Sequence, residues 1–305
     1  MNSFRSGFVA IVGRPNTGKS TLVNALVGNK VAITSPHPNT TRHAIRGILN
    51  GANFQAVLVD TPGIHKPKTM LGHRLNSVVG ESLDSVDAIL MCLPADEKSS
   101  AGDLFIVQEI AKHPQAKKFA IITKTDLVSK AALAARLAGI VGLAQDFEWH
   151  EIVPVSATIH DHVDLLSELI GKSLPLGPQF YPPEMVSDQG REQWICELIR
   201  EAALRDVRQE LPHSIAVTID EISERDESSE KPFFDIHATI HVERDSQRGI
   251  LLGHQGEKLK DIGTRARADI ERILCARVFL GLHIKVSKDW QRDTKLLEKL
   301  GFGEN

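Results

Sequence analysis

Eight consecutive residues, Gly13-Arg14-Pro15-Asn16-Thr17-Gly18-Lys19-Ser20, fit the pattern G-x-x-x-x-G-K-[ST]. They follow an apolar run and precede a helical run beginning Thr21-Leu22-Val23, which is the context a phosphate-binding loop needs. Glycines let the backbone come close to phosphates, while loop amides and a helix N-terminus supply positive potential. Lys19 is placed to put a charge on the terminal phosphates, and Ser20 to ligate Mg²⁺. The nucleotide-holding set expected from this stretch is Gly13, Asn16, Thr17, Gly18, Lys19, Ser20 and Thr21.

Three later motifs decide which nucleotide. Asp60-Thr61-Pro62-Gly63 fits D-x-x-G, in which the carboxylate helps hold Mg²⁺ and the glycine amide senses the γ-phosphate. Thr123-Lys124-Thr125-Asp126 is similar to the guanine signature N-K-x-D. Asp126 can accept from both N1–H and the 2-amino group of guanine, a pair of donors adenine lacks. As an unpaired buried carboxylate it would penalise ATP. Lys124 is expected to lay its stem over the base, and a backbone amide of Val155-Ser156-Ala157 to meet the guanine O6.

These motifs need a scaffold that gathers them. Apolar runs suggest buried strands at Phe8 to Val12, Ala56 to Val59, Ala88 to Leu93, Phe119 to Ile122 and Ile152 to Val155. Helix-compatible stretches alternate with them, which predicts an α/β domain with a mostly parallel sheet over residues 1–173. Four of the five runs end at a motif, and ligands of open α/β sheets bind beyond the carboxyl ends of the strands. Residues 174–187 hold four prolines and a glycine and read as a semi-rigid linker. A second, smaller α+β domain is expected over 188–305, in the order helix, strand, strand, helix, helix, strand.

Within that second domain Ile250-Leu251-Leu252-Gly253-His254-Gln255-Gly256-Glu257-Lys258-Leu259-Lys260 matches the KH signature, whose GXXG loop clamps a nucleic-acid backbone. Gly253, His254, Gln255 and Gly256 form the expected clamp, and Lys258, Lys260, Arg265 and Arg267 can neutralise phosphates. Bases are expected in a groove between the helix after the loop and the strand around Phe233 to Val242. Trp290 and Phe279 read as core or helix-docking residues rather than stacking platforms. The His160-Asp161-His162 triplet reads as solvated surface, since no partners stand at ligand spacing.

Taken in order, the motifs resemble a Ras-like GTPase, and essentially the whole chain is similar to the Era family of the TrmE-Era-EngA-like group. The resemblance implies a P-loop GTPase domain followed by a type II KH domain, with GTP or GDP and Mg²⁺ as ligands. It also implies 16S rRNA (its 3′ end) and the small ribosomal (30S) subunit as partners, in ribosome assembly. Thr40-Thr41-Arg42-His43 looks like switch I, with Thr41 the chosen Mg²⁺ ligand beside Ser20 and Asp60, and Thr40 the fallback. Lys19, Thr41, Gly63 and Asn16 are the expected catalytic set. Ile64 stands where water-positioning GTPases carry glutamine, so intrinsic hydrolysis is expected to be slow, and related enzymes suggest K⁺ held partly by Asn16. Thr123 departs from the usual asparagine; its hydroxyl can still hydrogen-bond, but the amide contact to guanine and the P-loop is lost, which implies retained guanine specificity with somewhat weaker affinity. The competing readings are an adaptor working through protein or membrane contacts, and a P-loop ATPase.

Composition sets the limits. Of 305 residues 42% are hydrophobic, enough for two cores, and three distant cysteines suit a reducing, cytoplasmic compartment. The N-terminus lacks a secretory apolar region and no run approaches a bilayer span, which leaves peripheral contact with the inner face of the cell membrane open. A net charge of −3 argues against nucleic acid only as an average. From Glu184 to Lys231 there are six basic and thirteen acidic residues, whereas Arg244 to Lys299 has thirteen basic and eight acidic.

Overall fold

The computed structural model describes residues 4–35, 37, 40–42, 45–63, 70–205, 207, 214–225 and 231–300. Ile64 and His43 therefore lie outside the described residues. The chain divides into two compact units, with the main boundary along the sequence between Asp188 and Gln189.

The first unit holds β1 (Arg5–Val12), α1 (Lys19–Val27), β2 (Ile45–Gly51), β3 (Phe54–Asp60), α2 (Met70–Leu83) and β4 (Ala88–Pro94). It continues with α3 (Ala101–Ala111), β5 (Lys117–Thr123), α4 (Lys130–Val141), β6 (Glu151–Pro154) and α5 (Val163–Ser173). The sheet order is β2-β3-β1-β4-β5-β6, with β2 antiparallel to β3 and every other pairing parallel. Helices cover both faces: α1 and α5 pack with Val9, Leu58 and Leu90, while α2, α3 and α4 pack with Ala10, Ile89 and Met91. Burial on both sides is why β4 reads as an unbroken apolar run, all seven residues being buried. The five runs expected as strands are the five parallel strands. β2 was not foreseen, because Arg46, two glycines and Asn50 dilute its apolar signal as they do in an edge strand.

Residues 174–187 do not hang free. The Ile48 amide donates to the Val186 carbonyl (2.9 Å), Ser187 Oγ donates to the Arg46 carbonyl (2.7 Å), and Gly47 bridges Ser187 alongside β2. Fully buried Gln55 accepts from the Phe180 and Tyr181 amides at 2.8 and 2.9 Å and donates to the Tyr181 carbonyl at 2.9 Å. Tyr181 Oη and Arg46 both reach Asp188, at 2.8 and 3.1 Å. The proline-rich stretch is a strap fastened to the first unit.

The second unit contains α6 (Arg191–Leu204), β7 (Ala216–Arg225), β8 (Phe233–Val242), α7 (Asp245–Leu252), α8 (Glu257–Leu274), β9 (Arg277–Val286) and a short α9 (Thr294–Lys299). Its sheet runs β7-β8-β9, β7 antiparallel and β9 parallel to the central β8. Ile236, Ala238 and Ile240 alternate into a core shared with Ile195, Leu198 and Ile199 of α6 and Ile262, Ala266 and Ile270 of α8. Trp290 is fully buried and donates to the Ser214 carbonyl (3.0 Å), the core role expected of it.

Candidate nucleotide site and nucleic-acid groove

The parallel strands β1, β3, β5 and β6 end at one edge of the sheet, and the motif residues stand at or directly after those ends. The loop after β1 turns through Gly13 (φ 154°), where a Cβ would stand 2.7 Å from Thr17 Oγ1 and 2.9 Å from the Cys92 carbonyl. Only glycine fits there. Gly18 (φ 89°) caps α1, whose first residue is Lys19. The Lys19 ammonium is folded back into its own loop, donating to the carbonyls of Gly13 (3.1 Å) and Arg14 (2.9 Å). Burial lowers its pKa, and the nearby Asp60 carboxylate works in the opposite direction. A phosphate would replace these carbonyls as the partner of the charge. Cys92 lies beneath the loop, its thiol pushed up to about 12 by burial and so no nucleophile.

Three oxygens meet beside Lys19. Ser20 Oγ donates to Asp60 Oδ2 (2.7 Å), Thr41 Oγ1 to the same atom (3.0 Å), and the two hydroxyls stand 2.9 Å apart. Thr40 also lines the cavity next to Thr41, and its hydroxyl donates to the His37 carbonyl (2.7 Å). Two hydroxyls and one carboxylate suit a hard cation that takes its remaining ligands from phosphate and water, as Mg²⁺ does. No group of three His, Cys, Asp or Glu side chains that could hold a metal occurs among the described residues. Gly63 lies so close to the loop that a Cβ would come within 2.8 Å of the Pro15 nitrogen. Asn16, Gly18, Lys19, Ser20, Thr21 and Gly63 line one cavity of about 280 Å³, which the sequence did not show to be closed also by Ile33, Thr34, Ser35 and His37.

At the base end, buried Thr123 donates to the Thr17 carbonyl at 2.7 Å. The threonine can still hydrogen-bond, as expected, and its hydroxyl reaches the phosphate loop. Asp126 is exposed, and one of its oxygens is engaged by Ser156 Oγ at 2.5 Å. It sits on a surface turn after β5, so only a bound base would cover it. Lys124 takes a left-handed conformation at φ 57°, and the Ser156 amide donates to the Asp161 carbonyl (3.1 Å).

In the second unit α7 ends at Gly253 (φ 70°) and α8 starts after Gly256 (φ 83°), with His254 and Gln255 exposed between them. A groove of about 440 Å³ runs from Gly256 along Leu259, Gly263 and Arg267 of α8 to Phe279 and Leu282 of β9. This corrects the expected wall: β8 is the central strand, so the edge strand β9 borders the groove. Phe279 is 46% exposed and lines it, which overturns its core assignment. Lys258 and Lys260 are exposed, while Arg265 pairs with Asp261 at 3.2 Å. His160 and His162 are exposed as expected.

Comparison with known proteins agrees with both domains. A family described as 50S ribosome-binding GTPase matches residues 8–125, and the KH domain family matches residues 210–291. GTPase Era of Streptomyces coelicolor is 54% identical over 301 residues, 98% of this chain and 95% of that protein. The chain belongs to the Era family of GTPases. GTPase Era of Mycolicibacterium smegmatis is 52% identical over 303 residues, covering 99% of this chain and all of the relative. Among solved structures, an Aquifex aeolicus Era variant bound to GDP and AlF₄⁻ matches with a TM-score of 0.93 at 36% identity, over 99% of this chain and 100% of that one. An Era structure in complex with MgGDPNP and nucleotides 1506–1542 of 16S ribosomal RNA matches with the same score, identity and coverage.

One contact of this Era-family chain escaped the sequence reading. Arg14, an unspecified position of the loop pattern, donates from Nε to Asp103 Oδ1 (2.8 Å) and from an Nη to Glu97 (2.6 Å). A pairing across 89 residues has no local signal.

Proposed function

We propose that this GTPase is a switch whose nucleotide state controls how its KH domain engages the 3′ end of 16S rRNA during assembly of the small ribosomal subunit. The observation that carries the switch is the convergence of Ser20, Thr41 and Asp60 on one point beside Lys19. Thr41 belongs to the segment expected to respond to the γ-phosphate, and it already stands where a nucleotide-bound cation would be held.

In this reading Ser20 and Thr41 supply hydroxyl oxygens to Mg²⁺ and Asp60 holds it through its carboxylate. The metal supplies neutralisation of the charge that builds on the phosphates. Lys19 leaves its two loop carbonyls for the phosphate oxygens, and the Gly63 amide reports the γ-phosphate. Asp126, steadied by Ser156, reads the guanine edge while the Ala157 amide meets O6. The apolar residue after Gly63 gives water no partner, so hydrolysis is slow unless another group orients it. Asn16, at φ 64° on the cavity wall, is our assigned contributor to a K⁺ site.

Support for RNA comes from the Gly253–Gly256 loop, the exposed Lys258 and Lys260, and the rRNA fragment held by the Era relative. No helix among the described residues is long and apolar enough to cross a membrane. We place the protein in the cytoplasm, with contact to the inner face of the membrane as the competing mode of action. The deciding experiment measures binding of a 16S rRNA 3′-end fragment with GDP and with a non-hydrolysable GTP analogue. The proposal requires tighter binding with the analogue, strong salt dependence, and loss of binding in the double variant Gly253→Asp, Gly256→Asp. Equal affinity in both states refutes the switch, and retained binding by the double variant points to another surface.

A further inference from the structure

We propose that Arg14 and Asp103 form a positioning pair that sets how long the nucleotide stays bound. Arg14 does not face the ligand through its charge. Its backbone carbonyl is what the site uses, accepting from Lys19 Nζ (2.9 Å) and from Thr17 Oγ1 (2.9 Å). With nucleotide bound, Lys19 turns to the phosphates and the Thr17 bond remains, so the direction of that carbonyl sets where the threonine of the phosphate loop stands and how readily the lysine returns to it as the phosphates leave.

The side chain fixes the direction from outside the loop. Its guanidinium binds Asp103 Oδ1 at 2.8 Å, and that carboxylate is fully buried, with its other oxygen capping α3 through the Ser100 amide (2.8 Å) and hydroxyl (2.9 Å). Glu97 adds a second acceptor at 2.6 Å but is 42% exposed, so water screens it. A buried carboxylate held by a helix cap has no freedom to follow a moving arginine. The loop is thus bolted to the start of α3, an element that contributes no residue to the nucleotide cavity.

Gly102 makes the bolt possible. A Cβ there would stand 2.8 Å from Arg14 Cδ and 3.4 Å from Cγ, so the arginine stem lies across the first turn of α3 in the space a side chain would take. Gly102→Ala therefore wedges Arg14 out while keeping every charge, and alanine is the better helix former. This separates a positioning role from a structural one, because the two predict opposite consequences.

The test is dissociation of a fluorescent GDP from the full-length protein, with the thermal midpoint recorded for each variant. Arg14→Gln should speed release about tenfold, the loss expected for a hydrogen bond between charged groups. Arg14→Lys should fall between, since a lysine cannot bridge two carboxylates with a planar fork. Gly102→Ala should speed release about threefold with its midpoint equal to or above the parent's. Preference for guanine over xanthine nucleotides should be unchanged in all three, which a collapsed site would not preserve. Parent-like release from Gly102→Ala and Arg14→Lys overturns the proposal, as does acceleration accompanied by loss of guanine preference.

Discussion

Single atoms decide most of the nucleotide chemistry. The Thr123 hydroxyl joins the end of β5 to the phosphate loop through the Thr17 carbonyl, in a buried position where the bond has no water to replace it. Thr123→Val keeps the shape and removes the donor, and should weaken GDP binding about fivefold. Thr123→Asn restores a donor and should bind at least as tightly as the parent. Titration of a fluorescent GDP checks both. Asp126 makes a different kind of prediction, because an amide offers guanine one acceptor and one donor where the carboxylate offers two acceptors. Asp126→Asn should shift preference toward xanthine nucleotides, whose base donates and accepts in the complementary order. Competition with XTP, GTP and ATP measures it, and tight ATP binding by the parent would sink the guanine assignment.

Elements carry what residues cannot. The strap depends on Gln55, a buried amide that satisfies two strap amides and one strap carbonyl. Gln55→Leu leaves those groups without that partner and should destabilise the first unit by about 2–3 kcal/mol, read by chemical denaturation. Chymotrypsin should then cut faster at Phe180 or Tyr181. Here the legibility of the sequence had a clear boundary. Strands covered on both faces announce themselves as continuous apolar runs, and α6, β7 and β8 followed from helical spacing and alternation. β2 did not, since an edge strand can alternate with arginine and asparagine. Proline content correctly denied regular structure to residues 174–187, yet it carries no information about what such a segment lies against.

At the scale of the whole molecule the charge is divided rather than summed. The segment from Arg244 to Lys299 is basic while the one before it is acidic, so RNA should meet only part of the second unit. Log affinity for a single-stranded rRNA fragment should fall linearly with log salt, with a slope reduced by about one when Lys258 or Lys260 becomes glutamine. Filter binding at several salt concentrations tests this. The guanine and KH motifs were legible because each is contiguous in sequence, whereas the groove wall, Phe279 and the Arg14 anchor depend on pairings between distant segments. Those pairings are fixed by sheet order, and sheet order has no local spelling. The strap also governs how the polypeptide can be divided. β2 is the outermost strand of its sheet, and the strap takes up the Ile48 amide and the Arg46 carbonyl. Ending the chain at residue 173 would bare that rim as a template for a neighbour's backbone, and such a fragment should self-associate on size-exclusion chromatography. A fragment ending at 188 carries its own cover and should elute as a monomer.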